Sequence, residues 1–205
     1  MMKSFHKLTV GEYQSLYRIH KSDQDEMEKS VQSVSILTGK PQWEVEEMPM
    51  ETFNEQARTF SVLFSTPPAD QKPKTSIKIN GKKYRICLNP RKITAGQYID
   101  LQVFLKENQI ENLHKLMACL LLPLKSFGRV GKYDGENHSQ ISDGILDCNF
   151  MEVHATCVFF LSLWNNSIKA ISPYLRHEIA KAMKENNLEP MDLQLLMDGF
   201  IIPRA

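Results

Sequence analysis

Asn80-Gly81 stands between two short runs, Ser76-Ile77-Lys78-Ile79 and Lys82-Lys83-Tyr84-Arg85-Ile86-Cys87-Leu88. A two-residue type I′ turn requires positive φ at both central positions, and Asn-Gly meets that requirement at least cost, so the stretch reads as a β-hairpin. Side chains alternate across a strand, which sets Ile77 and Ile79 on one face and Tyr84, Ile86 and Leu88 on one face of the partner. Lys78 and Arg85 then lie opposite the isoleucines. An isolated hairpin is marginal in water, so this one must pack on helices of its own chain or pair with a neighbour.

The remainder reads as helix. Thr9 and Thr94 are N-caps whose hydroxyls can accept from orphan first-turn amides. Behind Thr9, the residues Tyr13, Leu16, Tyr17 and Ile19 are expected to face inward. Ser22 or Asp23 is expected to cap the next helix, with Met27, Val31, Val34 and Leu37 as its apolar stripe. Asp25, Glu26 and Glu28 crowd its first turn, where the helix dipole favours negative charge. Gly39 ends it as a left-handed residue, and Pro41 opens a short helix through Met48. Met50 to Phe64 forms another, with Phe53, Ala57, Phe60 and Phe64 along one side. Behind Thr94, the residues Tyr98, Leu101 and Leu105, with Ile99 and Val103, recur at helical spacing, and a second apolar helix is expected to end at Leu122. A polar, glycine-rich loop over Pro123 to Gly144 comes next, then a long helix from about Phe150 to Ala170. Tyr174 to Glu185 and Pro190 to Met197 read as further helices. An apolar tail carrying Phe200, Ile201 and Ile202 closes the chain, and such a tail would be costly to leave in water.

The expected fold class is therefore mainly α with a small β-hairpin. Leu8-Thr9-Val10-Gly11-Glu12-Tyr13 echoes Ile93-Thr94-Ala95-Gly96-Gln97-Tyr98, and at the same offset Val31, Val34 and Leu37 fall on Leu116, Cys119 and Leu122. The body is thus a helical bundle with a candidate duplication of its helical hairpins. Pro67, Pro68 and Pro73 cannot sit inside a helix or a central strand. They divide an N-terminal helical subdomain (1–66), across a linker (67–75), from the hairpin and remaining helices (76–205).

The formal charge is +1, with 25 Lys and Arg against 24 Asp and Glu, which excludes a molecule basic all over. The basic residues are nonetheless concentrated: Lys72, Lys74, Lys78, Lys82, Lys83, Arg85, Arg91 and Lys92 follow one another without an acidic residue between them. A face so formed could meet nucleic-acid phosphates, although a solvated outer strand face is its ordinary role. No apolar segment follows the first residues, so an intracellular product with reduced thiols is expected. The longest apolar run, Ala155 to Trp164, is too short to span a bilayer, and no membrane partner is expected.

Two stretches carry residue types that could do chemistry. Gly128-Arg129-Val130-Gly131-Lys132-Tyr133 lacks the spacing and the hydroxyl after lysine that a phosphate-binding loop needs. Arg129, Lys132 and Tyr133, with Lys125, belong instead to a basic contact loop. Cys148, His154 and Cys157 group three soft ligands, yet a fourth is missing and the paired spacings of zinc sites are absent. Core cysteines and a hydrogen-bonded histidine are the ordinary reading. Neither a serine elbow nor a His-Glu-x-x-His motif occurs. No enzyme activity, cofactor or metal is expected.

The hairpin running into Lys92-Ile93-Thr94-Ala95-Gly96-Gln97-Tyr98-Ile99-Asp100-Leu101 resembles structural modules of tailed phages. It looks most like a small protein of the tail or collar cluster of crAss-like phages. Leu8 to Tyr13, followed by Ser35-Ile36-Leu37-Thr38-Gly39-Lys40-Pro41, is similar to phage tail-assembly chaperones. The resemblance covers roughly residues 8–64 and 76–122. It implies a homo-oligomeric ring at the portal or head–tail junction of a virion, made in the host bacterial cytoplasm. The partners implied are further copies of the chain, portal and other tail proteins, and DNA passing non-specifically through the channel. Interface candidates are Ile77, Lys78, Ile79, Lys82, Arg85, Arg129, Lys132, Tyr133, Phe200, Ile201 and Ile202. The alternatives are a tail-assembly chaperone that binds the tape-measure protein, and a nucleic-acid-binding module that uses the basic hairpin.

Overall fold

The computed structural model describes residues 7–65 and 71–167. It is mostly helical with a small antiparallel sheet. Four helices come first: α1 (Val10–Lys21), α2 (Glu26–Thr38), α3 (Gln42–Glu46) and α4 (Met50–Ser65). Strands β1 (Ser76–Ile79) and β2 (Lys82–Ile86) follow, then α5 (Ala95–Leu105), α6 (Leu113–Cys119), β3 (Leu121–Pro123) and α7 (His138–Ile145). Residues 150–167 are helical and form α8. The helices anticipated beyond Ala170, and the tail with Phe200, Ile201 and Ile202, lie outside the described residues.

The turn at Asn80-Gly81 has φ of 48° and 79°, as a type I′ hairpin demands. Its register pairs Ile77 with Tyr84 and Lys78 with Lys83. Ile79, Tyr84 and Ile86 are buried, whereas Lys78, Lys83 and Arg85 are exposed. The strand beyond β2 departs from expectation. Instead of continuing helical to Leu122, the chain leaves α6 at Cys119 and lays Leu121–Pro123 antiparallel on β2. Ile86 is buried, so the free edge of β2 would hold unpaired peptide groups in the core, a cost that pairing removes. Ahead of β3 the Cys87 amide donates to the Leu120 carbonyl at 2.8 Å. Pro123, which has no amide to give, ends this edge strand.

The two echoing segments are both capped in full. In each, the threonine hydroxyl accepts from the amide three residues on, and that residue's side chain accepts from the threonine amide. Thr9 and Thr94 adopt the same backbone, with φ −81° and −80° and ψ 164°. Their following tyrosines both stack on α8, Tyr13 on Phe150 and Tyr98 on Trp164. The correspondence stops at the second helix: α2 is 13 residues long, whereas α6 has 7 and gives way to a strand. At α2 the cap is Asp25, whose carboxylate accepts from the Met27 amide at 2.9 Å. Ser22 instead closes α1 by donating to the Ile19 carbonyl.

The main core does not follow the division at the prolines. Leu8, Val10, Leu16 and Leu37 lie in one cluster with Ile79, Ile86, Leu101, Phe150 and the whole buried face of α6. The α1 start is stitched to the turn before α8: the Val10 amide donates to the Cys148 carbonyl and the Phe150 amide to Leu8, both at 2.9 Å. Within the expected linker, Lys74 is pinned on α8 through its amide to the Thr156 hydroxyl at 3.0 Å and its ammonium to Glu152 at 2.9 Å. A helix as short as α6 is unstable in water. Burial of Leu113, Leu116 and Met117, each contributing about 1.5–3 kcal/mol, holds it here. Val34, Val45 and Phe53 make a second, smaller cluster that joins α2, α3 and α4.

Candidate functional site

Among the described residues, the outer face of the sheet gathers Lys78, Lys83 and Arg85 into one exposed cationic surface. Cross-strand pairing sets Lys78 beside Lys83 and Ser76 beside Arg85, all on the side away from the core. Like charges directly opposite repel. Among the described residues, Lys78, Lys83 and Arg85 have no acidic partner. Ile79 belongs to the chain's own core, and Ile77 is half-buried against it, so neither is displayed for a partner. What the hairpin presents is its cationic face.

Next to that face, the expected contact loop is largely folded down. The Leu124 amide donates to the Lys83 carbonyl at 2.9 Å and carries the pairing with β2 one residue past β3. Leu124 then bridges Val130, the Lys125 amide donates to Arg129 at 2.8 Å, and the Gly131 amide donates to Pro123 at 2.7 Å. At the tip of this small extra hairpin Phe127 is fully exposed, with φ of 62°. Lys125 and Arg129 flank it and are exposed as well. Lys132 is exposed, while Tyr133 is half-buried and donates its hydroxyl to Asp100 Oδ2 at 2.6 Å. Tyr133 thus ties the returning strand to α5 and closes over Gly96. Beyond it the chain forms α7, a helix hidden in the sequence by its polar content.

Titratable groups in the interior serve packing. Cys119 Sγ lies 3.4 Å from His138 Nε2, but that same nitrogen is 3.1 Å from the Lys115 carbonyl, which only accepts. The Nε2 proton is therefore in place, and His138 cannot take a proton from the thiol through it. Burial, with Asp100 nearby, pushes the Cys119 thiol up to about 12. This thiol is inert. Cys148, His154 and Cys157 diverge: Cys148 Sγ meets the Gly144 carbonyl, His154 lies against Phe150, and Cys157 touches Met117. No group of three or more His, Cys, Asp or Glu side chains among the described residues is arranged to hold a metal. All four cysteines are free.

A second surface was not foreseen. The helices α2, α3 and α4 enclose a groove of about 480 Å³, lined by Met27, Val31, Val45, Met48, Met50 and Phe53. Glu28 and Glu46 stand on its wall with Gln24, Gln32 and Gln42. The stripe expected on α2 thus divides: Val34 and Leu37 are buried, whereas Met27 and Val31 line the groove. The signal that could have revealed it was the run of methionines around Pro49, set among glutamates. Among the described residues no helix is long and apolar enough to cross a membrane. No family model, curated protein or solved structure matches the chain.

Proposed function

We propose that this protein is a non-enzymatic structural subunit that assembles with copies of itself, and that in the setting its sequence resembles it is a ring or collar component near the portal of a tailed phage. The observation that carries this reading is the segregation of surface charge by element. From 72 to 92 there are eight basic residues and no acidic one; from 23 to 55 nine acidic residues stand against Lys29 and Lys40. The first set includes the uncompensated sheet face, and the second surrounds the α2–α4 groove. A chain with balanced total charge and two opposite poles is suited to heterologous contacts, in which one patch meets a different patch on the next copy. Such contacts generate rings when the rotation closes.

The test is native mass spectrometry of the purified chain, alone and with a portal-type ring protein. A discrete cyclic assembly is the expected result, and a persistent monomer under both conditions removes the proposal. Detection in purified particles separates a virion component from a tail-assembly chaperone, which departs before maturation. A second reading, non-specific binding of DNA in a channel, is supported by Lys78, Lys83 and Arg85 on one face. Three such phosphate contacts would give a slope of about −3 in log affinity against log salt.

A further inference from the structure

Within the self-assembly reading, on which this inference rests, we propose that the contact between copies is made by Phe127. It enters the α2–α4 groove of the next copy, with Lys125 and Arg129 meeting the acidic rim. The two surfaces match in shape class and in charge. Phe127 is an aromatic side chain wholly in water, and it stands on a turn braced by backbone bonds at Lys125, Arg129 and Gly131. Among the described residues nothing packs on this exposed phenylalanine, and it is held at positive φ, where glycine would fit the same backbone without strain.

The groove offers the complement. Methionine side chains adapt to an aromatic insert, and Met27 and Met50 are each about half exposed at its mouth (48% and 57%). Glu28 and Glu46 border it, and from 23 to 55 the surrounding helices carry more acid than base. A buried aromatic anchor ringed by charge pairs is the usual anatomy of a binding hot spot. Knob and groove are different patches, so a second copy fits head to tail, and the joined pair leaves one knob and one groove free for further copies.

Sedimentation velocity on the full chain tests the contact with two substitutions, Phe127→Gly on the knob and Met50→Arg in the groove mouth. The native chain is expected to assemble beyond a dimer, and more weakly as salt is raised. Each variant is expected to lose affinity by about tenfold or more and to run as a monomer. Their equimolar mixture is expected to stop at a dimer, because only one intact knob and one intact groove remain between the two chains. Thermal melting controls for folding, and Phe127→Gly should melt no lower than the native chain, since the turn's backbone is relieved. Assembly unchanged in both variants overturns this contact and leaves the self-assembly reading standing. A native chain that remains monomeric at every concentration overturns both. Variants that are each monomeric yet form no dimer on mixing overturn the head-to-tail arrangement.

Discussion

At the scale of single residues, several side chains are set by what touches them across the fold. Gly144 sits inside α7, where glycine weakens a helix, and the reason is the hairpin. A methyl group there would run into Ile79 Cγ2 and the Asn80 side chain. Gly144→Ala is expected to cost about 1–3 kcal/mol in chemical denaturation, against the gain a helix normally shows for this change. His114 is a second case. Its Nδ1 accepts from the Gln14 amide at 3.0 Å, and burial, followed by the neighbouring Lys115 charge, lowers its pKa to about 4. The unfolded chain therefore takes up the proton first, so the His114 contribution is complete above pH 6.5 and is lost as pH falls toward 4. Discounted for partial exposure, the loss is about 1 kcal/mol, and His114→Gln should flatten the fall in melting temperature across that window. Neither contact could be read from the chain, because Gly144 and Ile79, like Gln14 and His114, are far apart in sequence.

At the scale of elements, local rules carried most of the weight. The hairpin, both threonine caps and the left-handed Gly39 are where the residues themselves predict them, since each depends on neighbours within four positions. The echo between Glu12 and Gln97 also acquires a reason. Glu12 sits at a half-exposed start, whereas Gln97 is fully buried and must donate as well as accept: its Nε2 reaches the Cys119 carbonyl at 2.7 Å. A carboxylate at that position would have no proton to offer and would bury a charge. Gln97→Glu is expected to destabilise the fold by about 3 kcal/mol, and a urea melt would show it. Local reading failed at β3, where an apolar run after α6 is equally good as helix or strand and the free edge of β2 decided the matter. It failed again at α7, whose polar outer face and internal glycine resemble a loop until Ile141 and Ile145 are seen against the core.

At the scale of the whole molecule, the two charged poles should be separable from stability. Lys78, Lys83 and Arg85 are exposed and unpaired among the described residues, so reversing all three to glutamate is expected to change stability by no more than about 0.5 kcal/mol per site. The same triple variant should abolish any binding to DNA and weaken self-assembly, as measured by sedimentation at low and moderate salt. If assembly and polyanion binding both persist, the sheet face has neither role.

Periodicity and turn chemistry were enough to determine a mainly helical protein with one hairpin and its two threonine caps, because those preferences act over a few residues. The basic stretch from 72 to 92 and the acidic one from 23 to 55 were equally open to inspection. Which of these residues meet was decided only by tertiary structure. Ile79 went inward, Tyr133 became a tie to α5, Phe127 was left alone in water, and Met27 moved from core stripe to groove wall. Burial is a property of what packs on a residue from elsewhere in the chain, and no local pattern encodes it.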